Sequence, residues 1–195
     1  MNHLEEGVQP ILRNIVFIAI FAALAVALGL LFLSVPNLEL VTATFFLAGY
    51  FLGRRNGITA AVLGEFTFSL LNPLGIASPP LMAAQIAGMA LVAFAGSLIA
   101  KGKFTFHGDE EKFHIKQKLS LGAMGLVLTL IFDLLTSIGF LIFAGLTLPK
   151  LLTSLIFGMY YYLFHITTNM LIFAVLLPVI MPKISNRIFY PENTA

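Results

Sequence analysis

The sequence predicts an all-α, polytopic membrane protein: six transmembrane helices in a single domain over residues 1–195. Three observations predict it. Hydrophobic residues make up 59% of the chain and charged residues only 10%, against roughly 25% charged in soluble domains. Apolar runs able to cross a hydrocarbon core of ~30 Å recur along the chain, separated by turns rich in Pro, Gly, Asn and charge. Lys and Arg fall almost wholly at alternate turns, as the cytoplasmic bias of these residues in membrane proteins requires.

The same composition excludes several classes. A net charge of +2 is too small for nucleic-acid binding, and without cysteine there is no disulfide framework, haem attachment or thiolate metal site. The mean hydropathy of +0.97 leaves no room for a separate soluble domain.

Residues 1–10 are polar, with Glu5 and Glu6, and read as a tail or a short surface helix. The first helix is expected over 15–33, where no charge occurs. No small-residue cleavage site follows, so it should be retained rather than removed as a signal peptide. Pro36 and Asn37 end it. A second apolar run covers 38–53, the basic turn Gly53-Arg54-Arg55-Asn56-Gly57 reverses the chain, and 57–71 returns. Pro73, Pro79 and Pro80 each remove a backbone donor and restrict the residue before them, so no regular helix fits 72–80.

The fourth helix is expected over 80–100. Residues 101–118 are hydrophilic, with Asp109, Glu110 and Glu111 beside Lys112, Lys116 and Lys118, and read as a solvated loop with a short amphipathic helix at its end. The fifth helix, 119–146, is apolar except near Asp133. After the turn 145–150 the last helix, 152–181, is long enough to tilt or protrude. Residues 182–195 form a polar tail.

Six spans gather Arg13, Arg54, Arg55, Lys101, Lys103, Lys112, Lys116, Lys118, Lys183 and Arg187 on one side and leave Lys150 opposite. Both termini are then cytoplasmic, in the cell membrane of a prokaryote. The connections Ser34 to Asn37, Asn72 to Pro80 and Gly145 to Lys150 face outward.

Ionisable side chains inside spans are costly in hydrocarbon, so each should face protein or water. Glu65, Asp133 and His165 are the candidates, with Glu39 near the outer end of the second helix. Glu39 either reaches the interface or lines a pocket. Glu65, Ser69 and Asn72 share one helical face that runs into the proline-rich loop; they form either a pocket wall or a network that steadies the turn. Asp133, with Thr129, Thr136 and Ser137 at neighbouring helical positions, reads slightly more as structural than as ligand-binding. Tyr161, His165 and Asn169 repeat every four residues as a polar stripe, either a pocket wall or satisfied packing, while Tyr160 and Tyr162 read as interfacial belt residues.

No metalloprotease, nucleophile-elbow or phosphate-loop motif occurs, and the four histidines lack metal-ligand spacing, so neither catalysis nor a cofactor is expected. A lipid enzyme using Glu65 and Asp133 is the weakest alternative. On the first helix Ala19, Ala23 and Ala27 recur every four residues beside Ala22. Such a smooth surface serves either close approach of a partner helix or internal packing. Ala84, Gly88 and Gly96 offer similar material on the fourth.

Taken together, the alanine stripe and the run PNLELVT…FLAGYFLGRRNG…NPLGIASPPLMAAQIAGMAL resemble the S component of an energy-coupling factor (ECF) transporter, over roughly residues 19–100. The Gly-Tyr-x-x-Gly-Arg-Arg turn, Asn-Pro-x-Gly and Pro-Pro-x-x-x-Ala-Gln are its more specific parts. The resemblance implies capture of a vitamin or related micronutrient in an outward-facing cavity. It also implies assembly with a transmembrane coupling subunit and two cytoplasmic ATPase subunits, and movement within membrane lipid to release substrate inward. It further implies that Ala19, Ala23 and Ala27 contact the coupling subunit, and that Glu39, Asn72, Gln85, Tyr161 and His165 lie near the substrate. Pro-Asn-x-Glu-Leu with Asn-Pro-x-Gly is similar to members assigned to cobalamin or its precursors. The alternative from another class is a membrane scaffold whose small-residue faces organise partner proteins without any ligand.

Overall fold

The computed structural model describes residues 2–101, 113–185 and 188, with side chains at Gln9 and from Ile11 onward. The expected loop residues Lys103, Asp109, Glu110, Glu111 and Lys112 lie outside the described residues, as do Arg187 and most of the expected C-terminal tail.

Every regular element among the described residues is a helix: α1 (Asn2–Leu31), α2 (Val41–Leu71), α3 (Pro79–Ala100), α4 (Ile115–Ala144) and α5 (Leu148–Leu171), the last continuing through a π turn (Ile172–Leu176) into α6 (Leu177–Ile184). Four stretches are long and apolar enough to cross a membrane: Ile11–Leu31, Pro79–Ala100, Ile115–Ala144 and Leu148–Ile184. Large apolar side chains such as Leu98, Val127, Phe157 and Leu163 project from them unburied. So much exposed apolar surface requires lipid around it. The chain is a membrane-embedded helical protein.

Where two helices over 38–53 and 57–71 are expected, α2 runs through both and breaks at Gly53, whose φ of 76° and ψ of 179° leave helical geometry. Only glycine adopts that conformation without strain, and the chain folds back there. Gly57 meets the backbone of Gly49, and the Phe45 ring lies against Gly64, so the two halves of α2 pack antiparallel. With Arg54, Arg55 and Glu65 along it, α2 is not among the four apolar stretches. Its first half is the heart of the core, with every residue from Val41 to Gly49 buried. A Cβ at Gly49 would overlap the Ala93 carbonyl, which is how closely α3 seats on this hairpin.

The N-terminal residues, expected as a tail or a short surface helix, are helical and extend α1 back to Asn2. At the other end of the chain Pro178 removes a donor, and its ring would crowd the carbonyl of Ala174 in a regular α-helix. The π turn widens the backbone just there, and the N–H of Leu177 reaches the carbonyl of Ile172. The widened turn carries Phe173 into the core, edge-on to Phe46 at 5.0 Å and against Gly125 of α4.

Helix α2 packs on α1 and α3, α3 on α4, and α4 on α5 and the π turn. This path gathers the connections 32–40, 72–78 and 145–147 at one end of the bundle. The Gly53 break, Lys101 and the start of α4 lie at the other.

Candidate functional site

The site grows from the connection ahead of α2. Asn37 takes a left-handed conformation (φ 60°), which asparagine tolerates. Its side-chain amide donates to the Tyr161 carbonyl at 2.8 Å, and its own carbonyl accepts from the Thr168 hydroxyl at 3.2 Å. The connection is thereby strapped to α5, and Glu39 is aimed into the bundle.

Glu39 sits in this connection, not inside the second helix. Its Oε2 accepts from the Thr42 N–H at 2.8 Å in the first turn of α2, where a carboxylate meets the positive end of the helix dipole. Its Oε1 accepts from the Asn169 amide at 2.8 Å and faces His165 Nε2 at 3.4 Å. Burial by itself would push the Glu39 pKa up. The hydrogen bonds and charge of His165, with those from Thr42 and Asn169, outweigh burial and hold it below the ordinary carboxylate value.

On the far side of the ring, His165 Nδ1 lies 2.8 Å from Asp133 Oδ1 on α4. Ser137 donates to the Asp133 carbonyl at 2.7 Å and pairs with the Tyr162 hydroxyl at 2.8 Å. Both nitrogens of His165 are committed to carboxylates, so the ring ties the connection, α4 and α5 together.

Glu65, on the second half of α2, presents the opposite case. It is 2% exposed, and its Oε2 has no hydrogen-bond partner. One turn on, Ser69 donates to Gln85 Oε1 at 3.2 Å, joining α2 to α3. Asn72 then ends the helix, its Oδ1 accepting from the Leu74 N–H at 2.9 Å.

Between these groups lies a cavity of about 350 Å³. Glu39, Glu65, Asn72, Gln85 and His165, all named as candidates in the sequence, line it, with Phe32, Phe68, Phe132 and Met89 among the apolar walls. Asn169 stands behind Glu39 as its donor. Asp133 is absent from the wall and holds His165 from behind, the structural role its sequence position favoured.

Tyr161 is a correction. Its side chain is half exposed, it does not line the cavity, and only its backbone carbonyl enters the site. A spacing of four residues overshoots one turn of a 3.6-residue helix by about 40°, so a stripe starting at the buried Asn169 and His165 has rotated outward by Tyr161. Sequence reasoning also missed Asn37 as the strap and the three phenylalanines. The Pro36-Asn37 pair carried the turn signal, but its partner on α5 lies more than a hundred residues away.

The two small-residue surfaces part ways. Ala19, Ala23 and Ala27 are exposed on the outer face of α1, while Phe21 and Ala25 turn inward. Gly88 and Gly96 are spent on internal packing, against Phe132 and the Phe46 carbonyl.

No protein-family model, curated protein or solved structure matches this chain. The site is therefore interpreted from its own chemistry: a compact chamber at one end of a membrane bundle, with buried acceptors, amide donors and aromatic walls, suited to holding a small polar molecule.

Proposed function

We propose that this chain is the substrate-binding membrane subunit of an ECF-type importer, taking up a vitamin-like micronutrient. The observation that carries the reading is the cavity, in which an unpartnered buried oxygen of Glu65 joins Glu39, Asn72, Gln85 and His165. Pockets for small ligands run from ~300 to ~1,000 Å³, so a chamber of about 350 Å³ favours a compact ligand over a whole corrinoid such as cobalamin.

In this reading the two halves of α2 count as separate spans, giving six, with both termini cytoplasmic in a prokaryotic cell membrane. The Lys and Arg bias supports that orientation and turns the cavity end outward. The exposed Ala19, Ala23 and Ala27 face is the docking surface for the transmembrane coupling subunit, whose two ATPase partners supply the energy. The chain itself is non-catalytic.

Thermal unfolding in detergent against a broad vitamin panel tests the binding claim. A ligand that binds only the native state raises stability by RT ln(1 + [L]/Kd), roughly 2.7 kcal/mol at a hundredfold excess over Kd. No shift from any member would favour the scaffold reading instead. Docking is tested separately: Ala23→Phe should abolish co-purification with the coupling subunit while ligand affinity stays within about twofold. An intact complex would remove the alanine face from the proposal.

A further inference from the structure

The cavity's wall is chemically one-sided. Among its ionisable side chains Glu39 and Glu65 are acids, and no Lys or Arg among the described residues lines it. His165, the one basic group there, has both ring nitrogens committed, to Glu39 at 3.4 Å and Asp133 at 2.8 Å. The free valence is an acceptor: Glu65 Oε2, buried and without a partner in the wall. A buried acceptor left unmade carries a desolvation cost that a donor entering the chamber would remove.

The other polar wall groups fix a polarity. Gln85 Oε1 is taken by Ser69 and Asn72 Oδ1 by the Leu74 N–H, which leaves their amide N–H groups to donate. Asn72 belongs to the connection at the end of the bundle, whereas Glu65 lies two turns deeper on α2. Phe32, Phe68 and Phe132 present rings to the same space, and aromatic faces attract cations through their quadrupole.

We infer that the cavity takes a compact organic cation, an amine or amidine with N–H donors, its positive end against Glu65 and its acceptor end against Asn72 and Gln85. The inference rests on the reading of the cavity as a ligand site and narrows the substrate class. A carboxylate or phosphate ligand would bring a further acid to Glu39 and Glu65, with no free Lys or Arg among the described lining residues to offset it.

The test uses the purified full chain in detergent and two matched series. One is tryptamine, tryptophol and indole-3-acetate; the other is benzylamine, benzyl alcohol and benzoate. Each holds the ring constant while the arm is cationic, neutral or anionic. At least one amine should raise the melting temperature, its neutral and anionic partners should bind at least tenfold more weakly, and Glu65→Gln should remove that preference. The wild-type series stands as evidence even where Glu65→Gln fails to fold. Equal or tighter binding of the alcohol or acid overturns the cation class but leaves the ligand site standing. Silence from both series also overturns it, and the ligand site itself then falls only if the vitamin panel is silent too.

Discussion

Two acids face the same cavity and are treated in opposite ways. Glu39 is surrounded by three donors from two elements: the Thr42 N–H of α2, and the Asn169 amide and His165 ring of α5. Glu65 is more deeply buried and has an oxygen that nothing among the described residues satisfies. A satisfied buried acid is part of what holds the bundle together, whereas an unsatisfied one is a cost to folding that a ligand can relieve. The difference separates architecture from candidate binding: the Glu39–His165–Asp133 chain shapes the chamber, and Glu65 is the acid that the proposed ligand would meet.

The comparison breaks first at His165. His165→Ala leaves Glu39 and Asp133 without the ring between them, and breaking a buried ionic cluster costs roughly 3 to 5 kcal/mol. The melting temperature should fall steeply and ligand binding should be lost, with membrane insertion retained. A loss of stability below about 1 kcal/mol would show that this chain does not hold α4 and α5 together.

A finer contrast comes from replacing each acid by an apolar side chain of similar length. Glu65→Met should stabilise the ligand-free protein by about 1 to 3 kcal/mol, because an unpartnered buried acceptor disappears, while binding is abolished. Glu39→Met should move stability the other way, since the Asn169 amide and the Thr42 N–H lose their acceptor. Matching signs in denaturation curves would dissolve the distinction between the two acids.

The smallest effect belongs to Asn72. Asn72→Ala removes one hydrogen bond to the Leu74 N–H, worth about 0.5 to 1.5 kcal/mol. It also removes an amide donor from the cavity wall, so affinity measured by titration should weaken severalfold. Unchanged affinity would take Asn72 out of the binding surface.

Much of this was legible in the residues. Apart from the start of α1 and the two runs joined in α2, apolar runs and proline positions located the helices to within a few residues, because helix length and backbone donors are local matters. The residues worth watching were also legible, since an ionisable or amide side chain is conspicuous in an apolar chain. The fates of those residues were not. Glu39 and His165 stand 126 positions apart, and nothing local to either says that they meet. Tyr161 shared the spacing of His165 and Asn169, and which end of that drifting stripe faces the bundle was decided by how α5 packs on α4.

The sequence by itself determined that this chain lives in a membrane as a bundle of helices, because hydropathy and helix-breaking residues act through their immediate neighbours. Tertiary structure decided that Gly53 folds α2 into a close-packed hairpin, that Ala19, Ala23 and Ala27 face outward, and that Glu39 is satisfied while Glu65 is not. Hydrogen-bond satisfaction is a property of pairs brought together across the fold, and no single stretch of chain contains both members of such a pair.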